Sequence, residues 1–130
     1  VPEILLKDQK VIIVEDNKIN MLLTKKLVNS IILNCTIIEA ADGNEAIEKY
    51  IKEQPNLVLM DIQMPNKNGY EAVKEIRLLK EAEKIPIIAL TAGIMAGDRE
   101  KCIEAGMNDY LPKPIIKKDL EQIITKWMVE

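Results

Sequence analysis

The chain predicts an α/β fold, a doubly wound parallel sheet assembled from five successive strand-helix units. Two observations carry that prediction. Short apolar runs, KVIIV, LVLM and IPIIAL among them, alternate with stretches whose apolar residues recur at helical spacing, and the loops between are short. The chain also lacks Phe, and its only aromatics are Trp127, Tyr50, Tyr70 and Tyr110, so the core must be Ile, Leu, Val and Met, a composition suited to parallel strands buried on both faces. A length of 130 residues fits one domain, 1–130, with its core between about residues 10 and 127.

Lys10–Val14 is the first strand, ending in two acids. Ile19, Leu23, Leu27 and Ile31 then recur every four residues, with Leu22 and Val28 beside them, and predict the buried face of a helix. Thr36–Ile38 is a second strand. Asp42 followed three residues later by Glu45 predicts an N-cap opening a helix through Ala46, Ile47, Tyr50 and Ile51, which Pro55-Asn56 stops. Leu57–Met60 is the third strand and Pro65–Gly69 a turn-rich loop. A helix carrying Ala72, Val73, Ile76 and Leu79 follows, with Lys80–Lys84 as its polar exit. Ile85–Leu90 is the fourth strand, its Pro near the start where a missing donor costs least. Asp98 is placed to cap a short helix through Cys102 and Ile103, and Gly106 to end it in the left-handed conformation. Asp109–Leu111 is a brief fifth strand, and Ile116, Leu120, Ile123, Ile124 and Trp127 form the stripe of a last helix.

Charge and composition exclude several function classes. A net charge of −3 without a basic block gives no footprint for direct nucleic-acid binding or for an anionic membrane. No apolar stretch approaches the roughly 18 residues of a membrane span, and no signal peptide opens the chain. It starts at Val1-Pro2 without a Met and reads as a piece of a longer protein. Cys35 and Cys102 are too far apart in sequence for a C-x-x-C motif and read as reduced, partly buried thiols of a cytoplasmic protein. The absence of His removes a zinc site and every mechanism that needs an imidazole base.

In a doubly wound sheet, ligands bind beyond the carboxyl ends of the strands, where strand order reverses. That rule singles out Glu15 and Asp16 after strand one, Asp61 after strand three, Thr91 after strand four and Lys113 after strand five. Three carboxylates in one cleft repel one another unless a cation lies among them, and an all-oxygen donor set suits Mg²⁺. A carboxylate, a hard cation and a lysine are the parts of phosphoryl transfer. Asp61 is positioned to attack phosphorus and form an acyl phosphate. Lys113 and the metal offset charge on the phosphoryl oxygens, and the Thr91 hydroxyl and Ala92 N–H bind the remaining oxygen. Singly, each residue has a plainer reading: Glu15 as a helix cap, Asp61 as a loop acid, Thr91 as a turn cap, Lys113 as a solvated lysine. Their convergence argues against all four together.

The segments VIIVEDNKIN, LVLMDIQMPNKNGYEA, IIALTA and DYLPKP, in this order and spacing, resemble the signatures of two-component receiver domains across roughly Lys10 to Trp127. The resemblance implies a flavodoxin-like (βα)₅ fold with strand order 2-1-3-4-5. It also implies phosphorylation of Asp61, Mg²⁺ on Asp16, Asp61 and the Gln63 carbonyl with Glu15 reaching it through water, and a cis Lys113-Pro114 bond. Tyr110 matches the aromatic that changes rotamer on phosphorylation, and Gln63 and Gly93 flank the expected water path. EDNKIN and MDIQMPNKNG look most like receivers of hybrid sensor histidine kinases, whose partner is a histidine kinase or a histidine-containing phosphotransfer domain. A stand-alone response regulator is the alternative within the family. A phosphatase with an aspartate nucleophile needs a second acid two residues on, where this chain has Gln63. A partner-binding pseudo-receiver would not need the intact set of site residues.

Overall fold

A computed structural model describes residues 8–64, 66–79, 82–92 and 97–128. In chain order the elements are β1 (Lys10–Val14), α1 (Lys18–Ile31), β2 (Thr36–Ala40), α2 (Gly43–Glu53), β3 (Leu57–Asp61), α3 (Gly69–Arg77), a single 3₁₀ turn (Ala82–Lys84), β4 (Ile87–Thr91), α4 (Asp98–Ala105), β5 (Asp109–Pro112) and α5 (Lys117–Met128). The strands form one parallel sheet in the order β2-β1-β3-β4-β5. Strand order reverses between β1 and β3, so their carboxyl ends open onto the crevice that the fold leaves for a ligand.

Alternation along each strand divides the core in two. Ile12, Val14, Val58, Met60, Ile87 and Ala89 point to one face and pack with residues of α2, α3 and α4. Val11, Ile13, Leu57, Leu59, Ile88 and Leu90 point to the other and pack with residues of α1 and α5. Every residue of β3 and β4 is buried, as continuous apolar runs require.

Several elements differ from their sequence-based expectations. On α1 the buried residues are Met21, Thr24 and Val28, with Leu27 and Ile31 half-buried. Ile19, Leu22 and Leu23, expected to face the core, are 70%, 52% and 55% exposed. A strict four-residue repeat drifts around a helix of 3.6 residues per turn, so the stripe meets the sheet only at its C-terminal end. Ile51 of α2 and Ile116 before α5 are likewise exposed. β2 runs two residues beyond Ile38 to pair with the end of β1. β4 starts at Ile87 rather than Ile85, Pro86 having no N–H for the ladder, although its carbonyl accepts from Val58 N at 3.0 Å. Gly97, left-handed, caps α4, so Asp98 lies inside the first turn and makes no capping bond there. Gly106 ends that helix left-handed, as expected, and Asp42 caps α2 through Glu45 N at 2.9 Å. Lys80, Glu81 and Pro65, placed in loops by sequence, lie outside the described residues.

At the edge of the sheet away from the crevice, Arg77 ties four segments together. Its guanidinium donates to the carbonyls of Gly106 (2.8 Å), Ala82 (2.6 Å) and Ile85 (2.8 Å) and to Asn108 Oδ1 (2.7 Å). Asn108 Oδ1 also accepts from Ile87 N at 2.8 Å, so the entry to β4 is set by the same group. Arg77→Leu strips a charged donor from several part-buried acceptors and is expected to lower unfolding free energy by about 2–4 kcal/mol, measured by urea denaturation.

Candidate active site

The acids reach the crevice because of where β1 and β3 stop. Glu15 follows the last residue of β1, its N–H donating to Ala40 O at 2.9 Å. Asn17 then caps α1, its side chain accepting from Asn20 N at 2.9 Å, which turns the chain away from the sheet just past Asp16. Asp61 is the final residue of β3, and its Oδ1 accepts from Gln63 N at 3.2 Å. A Cβ on Gly69 would stand 2.6 Å from the Asp61 carbonyl, so only glycine lets α3 start this close beneath the acid.

Glu15, Asp16 and Asp61 each place a carboxylate oxygen within 4.8 Å of the others. Glu15 and Asp61 are buried, whereas Asp16 is exposed at the mouth. Lys113 joins the two buried acids, its Nζ lying 3.0 Å from Glu15 Oε2 and 3.1 Å from Asp61 Oδ2. Its backbone N–H donates to Thr91 O at 2.7 Å, fixing the end of β5 to the end of β4. The Lys113-Pro114 peptide bond is cis, as the resemblance implied.

These contacts separate the ionisation of the two acids. Burial pushes the Glu15 carboxyl up, but hydrogen bonds involving Asp61, Lys113 and Asn20 outweigh it and hold Glu15 below the usual range. Burial, followed by the hydrogen bond and charge of Glu15, drives Asp61 up to about 7 against the pull of Lys113. Burial lowers Lys113, but both acids reverse that and leave its pKa raised. The ammonium therefore stays charged while one proton is held on the Asp61 side of the pair.

Asp61, Gln63, Thr91 and Ala92 line one cleft of about 680 Å³, whose far wall adds Tyr70, Asp98 and Lys101. Glu15 and Asp16 also border an adjoining hollow between α1 and the β2–α2 junction. Thus Glu15, Asp16, Asp61 and Lys113 converge, and Thr91, Ala92 and Gln63 open on the same side. Tyr110 does not line the cleft; it is half-buried against the α2–α4 core. Gly93 lies outside the described residues. Tyr70 and Asp98, in the first turns of α3 and α4, also border the cleft, a placement that no local sequence signal reports. Burial pushes the Tyr70 hydroxyl up to about 12, helped by its hydrogen bond with Cys102. Both cysteines are free thiols.

A family model described as the response regulator receiver domain matches residues 11–125. The chain belongs to this family. It is 38% identical over 122 residues to the sensor protein GacS of Pseudomonas syringae pv. syringae, a match covering 91% of the chain and 13% of GacS. It therefore spans about an eighth of that relative's length. Among solved structures, it is similar to the receiver domain of sensor histidine kinase PA1611 from Pseudomonas aeruginosa PAO1, which has a magnesium ion coordinated in its active-site cleft. That likeness has a TM-score of 0.84 and 38% identity, over 94% of this chain and 98% of the other. It is also similar to the Saccharomyces cerevisiae structure of the phosphotransfer protein Ypd1 with the receiver domain of Ssk1, with a TM-score of 0.84, 31% identity and coverage of 95% and 90%.

The receiver's own residues fit a divalent cation. The donors are all oxygen, and one ammonium is shared by two buried acids with a third carboxylate beside them. Asp61 holds a proton for want of further positive charge, which a hard dication supplies. Between about pH 4 and 7 the metal-free fold retains a proton on Asp61 that the unfolded chain has released, so this group withdraws stability as pH rises through that window. Glu15 acts oppositely: its contribution is present above its ordinary value and is lost as pH falls through its lowered one. Chemical denaturation in EDTA should show stability falling from pH 5 to pH 8. Mg²⁺ should stabilise the protein more at pH 8 than at pH 5, where it competes with the Asp61 proton. A metal-free stability that climbs steadily to pH 8 would place no raised carboxyl in the site.

Proposed function

We propose that residues 1–130 form a single receiver domain that takes a phosphoryl group from a phosphohistidine onto Asp61 within a two-component phosphorelay, as the receiver of a hybrid sensor histidine kinase. The observation that carries this reading is the placement of buried Asp61 3.1 Å from Lys113 Nζ, with Glu15 and Asp16 within metal-sharing distance. In the reaction, an Asp61 carboxylate oxygen forms a bond to phosphorus as the donor's P–N bond breaks, and the imidazole nitrogen keeps the bonding pair. Asp61 must enter that step ionised. Lys113 turns from the carboxylates to the transferred oxygens, and the Thr91 hydroxyl and Ala92 N–H take up another. Asp16, Asp61 and the Gln63 carbonyl would hold Mg²⁺, with Glu15 behind them, and the ion would supply positive charge against the phosphoryl oxygens. Gln63 cannot shuttle a proton as an acid at that position would, so the acyl phosphate is a signalling state rather than the intermediate of a phosphatase.

Recruitment of Thr91 toward the phosphoryl group pulls on the end of β4, and Tyr110, in register with Ala89 one strand away, responds by turning further inward. The face made by α4, β5 and α5 is then the output. The partner is a histidine kinase or a histidine-containing phosphotransfer domain, which must bring its imidazole to the Asp61 crevice. Beside that crevice, exposed Leu23 and half-buried Leu27 of α1 line an apolar groove of about 420 Å³, bordered by Lys113, Pro114 and Ile115. That surface supports docking of the donor protein there. A cytoplasmic location is supported by the two free thiols. No helix among the described residues is long and apolar enough to cross a membrane.

Acetyl phosphate with Mg²⁺ should add one base-labile phosphoryl group by intact-mass analysis, with none on Asp61→Asn. Lys113→Ala should lose most labelling while still binding Mg²⁺. Thr91→Ala should be labelled but switch poorly, having lost one hydrogen bond worth about 0.5–1.5 kcal/mol. Undiminished labelling of Asp61→Asn would overturn the assignment.

The docking face separates from the chemistry in a second comparison. Leu23→Glu should slow transfer from a phosphohistidine protein by about an order of magnitude while leaving acetyl phosphate labelling within about twofold. Equal slowing with both donors would show that α1 supports the site rather than the partner.

A further inference from the structure

The loop from Ile62 to Asn68 carries Gln63, and its two ends are held by short-range bonds: Gln63 N to Asp61 Oδ1 at 3.2 Å and Gly69 N to Ile62 O at 2.9 Å. Its far side is held by a different element. Asn66, in the left-handed region at φ 66°, donates from Nδ2 to Asp42 Oδ2 at 2.9 Å. The other Asp42 oxygen is already used as the α2 cap, accepting from Glu45 N at 2.9 Å. One residue further on, Gly43 N donates to Lys67 O at 3.1 Å, and a Cβ on Gly43 would stand 2.5 Å from that oxygen. The first turn of α2 is thus an abutment against which the loop is seated, and Asp42 divides its carboxylate between the helix and the loop.

We propose that Asp42 and Asn66 are positioning residues for the cation site: the Asp42–Asn66 hydrogen bond sets the loop so that the Gln63 carbonyl can face the ion beside Asp61. The inference rests on the reading of Asp61 and Gln63 as phosphoacceptor and metal ligand. Neither Asp42 nor Asn66 touches the ion in this arrangement. Both act through the backbone of the loop, whose left-handed residue Asn66 is the point at which the chain bends back toward α3. A capped helix is the rigid element here, and the exposed loop is the one that needs placing.

Charge exchange between the two positions tests this independently of stability and of long-range electrostatics. Asp42→Asn keeps a competent cap and, with the Asn66 amide flipped, still pairs the two side chains, donor to acceptor. Asn66→Asp sets two carboxylates against each other. The double variant Asp42→Asn/Asn66→Asp restores a donor-acceptor pair and the parent's net charge. Mg²⁺ affinity is measured by calorimetry and by amide-shift titration, alongside thermal unfolding in EDTA and the Mg²⁺ dependence of acetyl phosphate labelling. Asn66→Asp and Asn66→Ala should bind Mg²⁺ about three- to tenfold more weakly, the range set by loss of one hydrogen bond, and Asp42→Asn and the double variant, which keep a donor-acceptor pair, should stay within about twofold.

Asn66→Asp is the decisive single substitution, because an added negative charge near the site should by itself tighten Mg²⁺ binding. Tighter or unchanged binding by that variant would overturn the proposal. So would a lowered melting temperature of Asn66→Asp and Asn66→Ala with Mg²⁺ affinity unmoved, which marks a merely structural tie. If the parent protein itself bound no Mg²⁺ and took no label, the reading of the site would fall and this inference with it. Normal binding and labelling by the parent, with insensitive variants, would remove the inference alone.

Discussion

Two buried carboxylates share one ammonium at the carboxyl edge of the sheet, and the functional half of the molecule is arranged around that shortage of positive charge. Lys113 lies 3.0 Å from Glu15 and 3.1 Å from Asp61, so neither acid has the lysine to itself. The protein divides the shortage unequally. Glu15, with additional hydrogen bonding, keeps its charge, and Asp61 takes up a proton near neutrality. A site built in this way suits a hard cation, whose charge would relieve the shortage. Asp16, exposed at the mouth, sets a third carboxylate beside the pair without adding to the buried charge.

The rest of the fold holds that edge in register and otherwise stays away from it. Parallel pairing of β1 with β3 sets Val14 against Met60, so the acids that follow emerge side by side. β3 against β4 sets Asp61 beside Leu90, which delivers Thr91 one residue further along. Arg77 and Asn108 fasten the opposite end of the sheet, where the guanidinium donates to the carbonyls of Ala82 and Ile85 and to the Asn108 amide. Stability and chemistry therefore occupy opposite ends of the same strands, as is general for open α/β sheets.

Much of this was legible in the sequence because strands buried on both faces leave unbroken apolar runs. All five strands are legible as such runs, and Glu15, Asp16, Asp61, Thr91 and Lys113 follow from where they end, whereas Gln63 and Tyr110 come only from the resemblance to receiver domains. Asp42 was found because capping chemistry is local, needing only an acid or amide three residues before its partner. The failures are equally physical. The apolar repeat on α1 gave the right element and the wrong face, because part of its stripe is not core at all: Ile19, Leu22 and Leu23 remain in water. Asp98 lost the cap to a left-handed Gly97, a choice made by backbone geometry rather than side-chain chemistry. The bonds between Asp42 and Asn66, and between Arg77 and Asn108, span 24 and 31 residues of sequence, and no periodicity reports a contact of that range.

The double engagement of Lys113 also leaves little of its charge to spare. The lysine is a stand-in counter-ion: while it holds both carboxylates, its three N–H donors have little left for an incoming phosphoryl oxygen. Releasing it first would strand a buried Glu15 anion that has no other ammonium beside it among the described residues. The lysine is in this sense a clasp, closed across the carboxyl ends of β1 and β3 by the acids that stand there.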